Sequence, residues 1–415
     1  MSIAARAAAP GLPLAAVVWL LGITQIVGYG TLYYGFAIIA PDIAGEFGLP
    51  LSSVYGGFSL ALLAGGAVAP YAGRLIDRHG AARVMAAGSV GAAAALGGMA
   101  LAPGLAGLTA GLLAVEVVGT LVLYDAAFAH LVQTAGGDAR RRITHLTLIA
   151  GFASTLFWPL TAMLDAALTW REVIGVFAAM NLLLCLPAHV WLARAGTRPA
   201  EGAAGAGAGS EVDETPLPAA LQRRAMVLVA VGFALAGFLL SAILAQMVPM
   251  LTALGIGSAV TVGALFGPAQ VLVRFVNMAA GAGCHPLTIT ILAAALMPVA
   301  VLLLAATAPQ VVGAVLFVVL LGFGSGLSSI VRGTLPLALF GRSGYGARLG
   351  RMASARLLLT SVAPFAMAFI GDLSGPSIAL AAMAAVGLFG LVAFIAVARL
   401  RAAAVSAATV PAPSA

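Results

Sequence analysis

Long apolar runs, each bounded by a few polar or turn-forming residues, dominate this chain. Crossing the ~30 Å hydrocarbon core takes about 20 apolar residues in a helix. Runs of that kind fall at 14–39, 52–72, 83–101, 105–131, 144–164, 172–193, 225–250, 258–281, 287–307, 310–334, 352–371 and 376–398. No stretch sustains the apolar/polar alternation of a half-buried strand. In lipid a helix satisfies its own backbone, so the pattern predicts an all-α polytopic membrane protein with twelve transmembrane helices. Pro41-Asp42, Gly136-Gly137-Asp138 and Gly371-Asp372 read as breaks between runs. The longest interruption, 194–224, is a Gly/Ala tract with Glu211, Asp213 and Glu214, flanked by Arg194, Arg198, Arg223 and Arg224. That is the composition of a linker. It predicts two six-helix halves, 1–193 and 225–415, joined by a cytoplasmic linker at 194–224.

Composition sharpens this picture. Charged residues make up 8% of the chain and the mean hydropathy is +1.11, whereas soluble domains carry about 25% charged residues. The net charge of +7 does not point to nucleic acid, because its positive charges sit between apolar runs and obey a topological rule. With the N-terminus in the cytoplasm, the inner segments hold sixteen of the 20 basic residues, all arginines: Arg6, Arg74, Arg78, Arg83, Arg140, Arg141, Arg142, Arg194, Arg198, Arg223, Arg224, Arg342, Arg348, Arg351, Arg399 and Arg401. The outer loops hold Arg171. Positive loops stay inside, so both termini are expected in the cytoplasm. The exclusive use of arginine with abundant Ala and Gly suggests GC-rich bacterial coding, and hence a bacterial inner membrane. The first apolar run is about 25 residues, longer than a signal-peptide core, and reads as the first membrane helix. Cys185 and Cys284 lack metal-like spacing and read as isolated buried thiols. No histidine is followed by Glu, so there is no His-Glu-x-x-His zinc site. No metal, no cofactor and no enzymatic activity are expected.

Ionisable residues inside membrane helices cost about 2.5–3.5 kcal/mol each on insertion scales, and so mark function. The candidates are Glu116, Asp125, Arg274, Arg332 and Arg356. Glu116, Thr120 and Tyr124 share one stripe at helical spacing, and Asp125 falls on the opposite side. Gln25, Tyr29 and Tyr33 form a polar-aromatic stripe on the first helix, amid Gly22, Gly28, Gly30 and Gly35. That stripe suits either a cavity wall or helix packing through glycines. Arg274 lies about 10 Å from the inner end of the eighth helix at ~1.5 Å per residue. Arg356 is closer to its helix end, where it can snorkel, and Arg332 sits at the close of the tenth run.

Between the second and third runs stands Gly73-Arg74-Leu75-Ile76-Asp77-Arg78-His79-Gly80-Ala81-Ala82-Arg83. This resembles the loop 2–3 signature of the major facilitator superfamily, with Gly73, Asp77, Arg78, Gly80 and Arg83 at its fixed positions. Gly73 and Gly80 are expected to allow tight turns at helix ends, and Asp77 to face a helix N-terminus. The resemblance implies a twelve-helix carrier in which Asp77 latches the two halves on the cytoplasmic side. It also implies alternating access about a midplane site. The second copy of the signature is degraded to Gly281-Ala282-Gly283-Cys284-His285-Pro286. The fourth helix has Glu116-Val117-Val118-Gly119 where many members carry arginine, and the fifth lacks the Gly-Pro-Gly repeats of many proton-driven drug exporters.

Arginines in helices 8 and 11, with Gly28-Tyr29-Gly30-Thr31-Leu32-Tyr33-Tyr34-Gly35-Phe36, are similar to the monocarboxylate and oxalate–formate branch. That similarity implies a small organic anion gripped by guanidinium groups. The expected substrate-binding residues are Arg274, Arg356, Gln25, Tyr29, Tyr33 and Glu116, in a monomer. The alternative expectation is proton-coupled efflux of a toxic or neutral compound, with Glu116 carrying the proton.

Overall fold

The computed structural model describes residues 12–195, 216–281 and 283–409. Among them are twelve helices long and apolar enough to cross a bilayer: α1 (Leu14–Phe47), α2 (Leu51–His79), α3 (Ala81–Ala100), α4 (Leu105–Thr134), α5 (Gly136–Asp165), α6 (Trp170–Ala195), α7 (Ala219–Ala253), α8 (Ala259–Ala280), α9 (Pro286–Thr307), α10 (Val311–Phe340), α11 (Tyr345–Ser374) and α12 (Pro376–Ser406). Each coincides with one of the predicted runs; most extend beyond it, while α3, α8 and α10 fall a residue short of it at one end or both. At ~1.5 Å per residue, the longest protrude from a ~30 Å core at their ends.

Two expected breaks are absent, and the third, at Gly136-Gly137-Asp138, stands at the junction of α4 and α5. The Pro41-Asp42 pair lies inside α1, which stops instead at Gly48 with a left-handed φ of 60°. Gly371-Asp372 lies inside α11, which ends at Gly375 with φ 86°. Gly136–Asp138 form a single 3₁₀ turn that opens α5. Apolar flanks and local packing carry the helices through residues that are turn-formers in water. α10 continues to Phe340, so Arg332 stands eight residues inside the helix rather than at its close.

Caps explain several helix starts. Thr169 and Glu172 form a reciprocal capping box on α6. His285 accepts a hydrogen bond from the Leu287 amide, and Pro286 takes the first position of α9, the position where a missing N–H costs nothing. His285 and Pro286 of the degraded second signature therefore cap a helix. Of the expected linker, Arg194 closes α6 and Arg223 and Arg224 belong to the first turns of α7. Arg6, Arg198, Glu211, Asp213 and Glu214 lie outside the described residues.

By contact the chain forms two compact units. One takes the described residues of Met1–Gly48 and Leu75–Glu211, the other those of Leu49–Arg74 and Val212–Ala415. In the first unit α3 packs against α4 and α6, and α1 against α5 and α6. In the second, α7 lies along α11 and α12, and α10 holds α8 on one flank and α9 on the other. Two apolar clusters fill the second unit, one around Leu239, Leu321 and Leu380, the other around Val229, Val331 and Val397.

Candidate functional site

In the first unit the site is a wall built by α1, α4 and α5. α1 contains a π-turn at Gly30–Tyr34. A π-turn takes more residues per turn than an α-turn, so the line of Tyr29 continues to Tyr34 rather than to Tyr33. The Tyr29 and Tyr34 rings stand 6.3 Å apart, and Tyr29 lies 4.7 Å from the Tyr124 ring of α4. Tyr34 meets Trp158 of α5 edge-on at 6.1 Å, and Tyr124 stacks on Phe128 at 5.0 Å. Tyr33 is more exposed, at 42%, and touches this row through Tyr34. The glycines around the row are spacers. A Cβ on Gly30 would overlap the Phe157 ring, and one on Gly35 would overlap Phe177.

Gln25 was expected on the same lining stripe. It is fully buried instead, and its Nε2 donates to the Val122 carbonyl of α4 at 2.8 Å. α4 is interrupted there: helix ends at Val122, Leu123 is extended (ψ −165°), and helix resumes at Tyr124. The break ends the single helical phase from which the stripe of Glu116, Thr120 and Tyr124 and the half-turn separation of Glu116 from Asp125 were expected. Glu116 lies half-buried in the first segment, and Asp125 in the first turn of the second.

A second π-turn, Asn181–Cys185, stands in α6. Asn181 donates to Thr31 Oγ1 at 2.8 Å and to the Phe177 carbonyl at 2.9 Å. The two π-turns are thereby tied by a buried hydrogen bond between residues 150 positions apart. Sequence reading missed Asn181, and also the buried histidines His130 and His189. His189 Nδ1 lies 2.8 Å from Ser89 Oγ. The available signal was a polar residue stranded in an apolar run. Cys185 is buried as expected, but Cys284 is exposed because it falls in the α8–α9 turn.

In the second unit Arg274 of α8 is 4% exposed. Its Nη2 donates to Gln270 Oε1 at 3.0 Å and to Ser329 Oγ at 3.1 Å, and its Nε points at the Gly326 carbonyl at 3.4 Å. These neutral oxygens set the plane of the guanidinium. The seat exists because α10 carries Gly322 and Gly326. A Cβ on Gly326 would stand 2.5 Å from Val273 Cγ1 and 2.8 Å from the Gln270 carbonyl, and one on Gly322 2.7 Å from Ala269 Cβ. This small-xxx-small spacing brings two helix backbones together. Arg356 has a different seat: its stem runs across Gly237 of α7, with Cγ 3.0 Å from where a Cβ would be.

The signature loop divides by role. Gly80 has φ 84° and makes the turn between α2 and α3, as expected of a glycine. Gly73 makes no turn. It is inside α2, and a Cβ there would overlap the Gly346 carbonyl of α11 and stand 3.1 Å from Ala347 Cα. Gly350 of α11 meets α2 in the same way at Ala69 and Pro70. Asp77 and Arg78 are exposed in the last turn of α2, and Arg83 stands in the first turn of α3. Gln133 of α4 clamps the loop, accepting from the Ala81 amide at 2.9 Å and donating to the Ile76 carbonyl at 3.4 Å.

Arg171, expected in an outer loop, stands in the first turn of α6 and is fully engaged. It meets Glu46 at 2.6 Å, donates to the Ala100 and Ala102 carbonyls at 3.0 and 2.7 Å, and covers the Trp170 ring.

Twelve membrane helices, with a buried guanidinium in one unit and an aromatic wall in the other, define a polytopic membrane carrier. The profile of the Major Facilitator Superfamily matches residues 20–330, and the chain belongs to that family of transporters. The human organic anion transporter MFSD10 aligns with a TM-score of 0.69 at 17% identity, over 92% of this chain and 98% of that one. The E. coli fucose:proton symporter aligns with a TM-score of 0.67 at 14% identity, over 92% and 99%. At these identities the likeness establishes the fold. No curated protein sequence matches the chain significantly.

Proposed function

We propose that this protein is a secondary active transporter of a small organic anion of the monocarboxylate kind, working by alternating access. The observation that carries the reading is Arg274: a guanidinium 4% exposed within a membrane helix and held in a fixed plane by oxygens of α8 and α10. A fixed, water-poor cation is what a carboxylate needs in order to leave water. Arg356, Tyr29, Tyr33 and Glu116 complete the proposed binding set, and Gln25 supports it from behind the aromatic row. Gly73, Asp77, Arg78, Gly80 and Arg83 form the proposed latch, with α2 pressed against α11 at Gly73 and Gly350 as its closed seam. The arginine distribution supports a bacterial inner membrane, with both termini and the 194–224 linker in the cytoplasm. The protein is proposed to act as a monomer.

The aromatic row of Tyr29, Tyr34, Tyr124 and Trp158 favours a second reading, proton-coupled efflux of a neutral or toxic compound, in which Glu116 carries the proton. The structural relatives include an anion carrier and a sugar symporter, so the fold does not choose between the two readings. Thermal unfolding of the detergent-purified protein against carboxylates, neutral metabolites and toxic compounds separates them, since a bound ligand raises stability by mass action. Stabilisation by carboxylates that disappears in Arg274→Ala supports the anion reading. A shift by neutral compounds alone, or an identical response in the variant, removes it.

A further inference from the structure

We propose that the interruption of α4 at Leu123, together with Gln25 of α1, is a binding site for a monovalent hard cation of the sodium type. This rests on the transporter reading and deepens it by naming the coupling ion. Where the first segment of α4 stops, Leu123 N still closes onto the Gly119 carbonyl at 3.0 Å, and the next amides to bond, Ala126 and Ala127, turn to the Leu123 carbonyl. The Val122 carbonyl, whose helical donor would be the Ala126 amide, thereby leaves the helical ladder. It takes Gln25 Nε2 at 2.8 Å. The amide orientation is set by that bond, since turning the oxygen toward Val122 would oppose two acceptors. Gln25 Oε1 is therefore held at the break, in a side chain with 0% exposure, and has no hydrogen-bond partner among the described residues. Buried amide oxygens are rarely left this way. What is missing must be a donor or a cation.

The electrostatics select the cation. The first segment of α4 directs the negative end of its dipole at the break, and Asp125 in the first turn of the second segment offsets the positive end which that segment presents there. α1 and α4 together carry Asp42, Glu46, Glu116 and Asp125 and no arginine. Of these, Glu46 is engaged by Arg171 and Trp170. Asp125 stands two residues past the break, in the first turn of the second segment. The donors available are amide and carbonyl oxygens with few carboxylates. Hard oxygen donors suit alkali and alkaline-earth ions, and a divalent ion would call for a larger set of carboxylates. Interrupted membrane helices offer freed carbonyls to sodium in the same manner.

The test is thermal unfolding of the purified full-length protein without cargo, in sodium chloride against equal choline chloride at fixed pH. The expected result is a saturable rise of several degrees in midpoint with sodium, as for any ligand of the folded state. Gln25→Leu should abolish that response, and Asp125→Asn should raise the half-saturating sodium concentration about tenfold, through loss of a nearby charge. If Gln25→Leu does not fold, Asp125→Asn and Gln25→Glu serve, the latter lowering the half-saturating concentration. Equal midpoints in sodium and choline for the wild type overturn the proposal and assign Gln25 Oε1 to a buried water. A sodium response unchanged in Asp125→Asn and in the Gln25 variants overturns it by placing the ion elsewhere. Sodium binding without carboxylate recognition leaves this site standing and removes the anion reading; carboxylate recognition without sodium binding does the reverse.

Discussion

Gly350→Ala should bias the carrier away from the state in which α2 and α11 touch. An ideal Cβ at Gly350 would overlap the Ala69 carbonyl oxygen, stand 3.1 Å from its carbon and lie 3.2 Å from Pro70 Cα. Comfortable carbon contacts are about 3.5–4.0 Å, so the two backbones must part by roughly half an ångström to one ångström. Neither partner atom can move aside, because both belong to helix backbone. Overpacking of this kind costs about 1–3 kcal/mol. The better helix propensity of Ala, up to about 1 kcal/mol, applies whether or not the helices touch, so it cancels between states. A differential of 1–3 kcal/mol corresponds to about a 5- to 150-fold shift in population. The reporter is Ala72→Cys in a background lacking Cys185 and Cys284, since Ala72 is 3% exposed in α2 near the seam. Its labelling by a membrane-impermeant maleimide should accelerate by that factor in Gly350→Ala. A lowered melting temperature with unchanged labelling would refute the reasoning, for it would make the seam permanent packing rather than a gate. Unchanged values of both would show that the contact is not formed.

Four further outcomes are expected. Gly326→Val should abolish carboxylate-induced stabilisation as fully as Arg274→Ala, because its side chain separates α8 from α10; ligand titration by thermal unfolding reads this directly. Arg274→Lys should retain less than a tenth of carboxylate uptake in proteoliposomes, since a flexible ammonium does not replace a planar guanidinium held on three oxygens; uptake at wild-type level would refute the need for that fixed cation. Arg171→Ala should lower stability by about 1–3 kcal/mol with transport intact. An exposed ion pair alone contributes about 0–1 kcal/mol, and the two carbonyls it leaves add the rest; chemical unfolding measures the loss. Gln133→Ala should cost about 1–2 kcal/mol through the two bonds clamping the Ile76–Ala81 turn, whereas Gln133→Glu, which keeps the acceptor for the Ala81 amide, should lose about half of that.

The apolar runs by themselves determined how many helices cross the membrane and where each lies, because a spanning segment must be long, apolar and self-bonded. The signature from Gly73 to Arg83 determined the family, and the intramembrane charges marked Arg274 before any contact was known. The winding within the helices was not legible. A reading at 3.6 residues per turn placed Tyr33 beside Tyr29 and Tyr124 beside Glu116. The π-turn at Gly30–Tyr34 carried the line of Tyr29 to Tyr34 instead, and the break at Leu123 interrupted the helical phase between Glu116 and Tyr124. Those departures are stabilised by residues distant in sequence: Asn181 bonded to Thr31, and Gln25 bonded to Val122. Nothing local to either segment announces them. The role of Gly73 was likewise decided by α11, whose backbone occupies the space a side chain would fill. Within a membrane the interruptions of a helix belong to its neighbours, because only they can bond the groups that the helix itself releases.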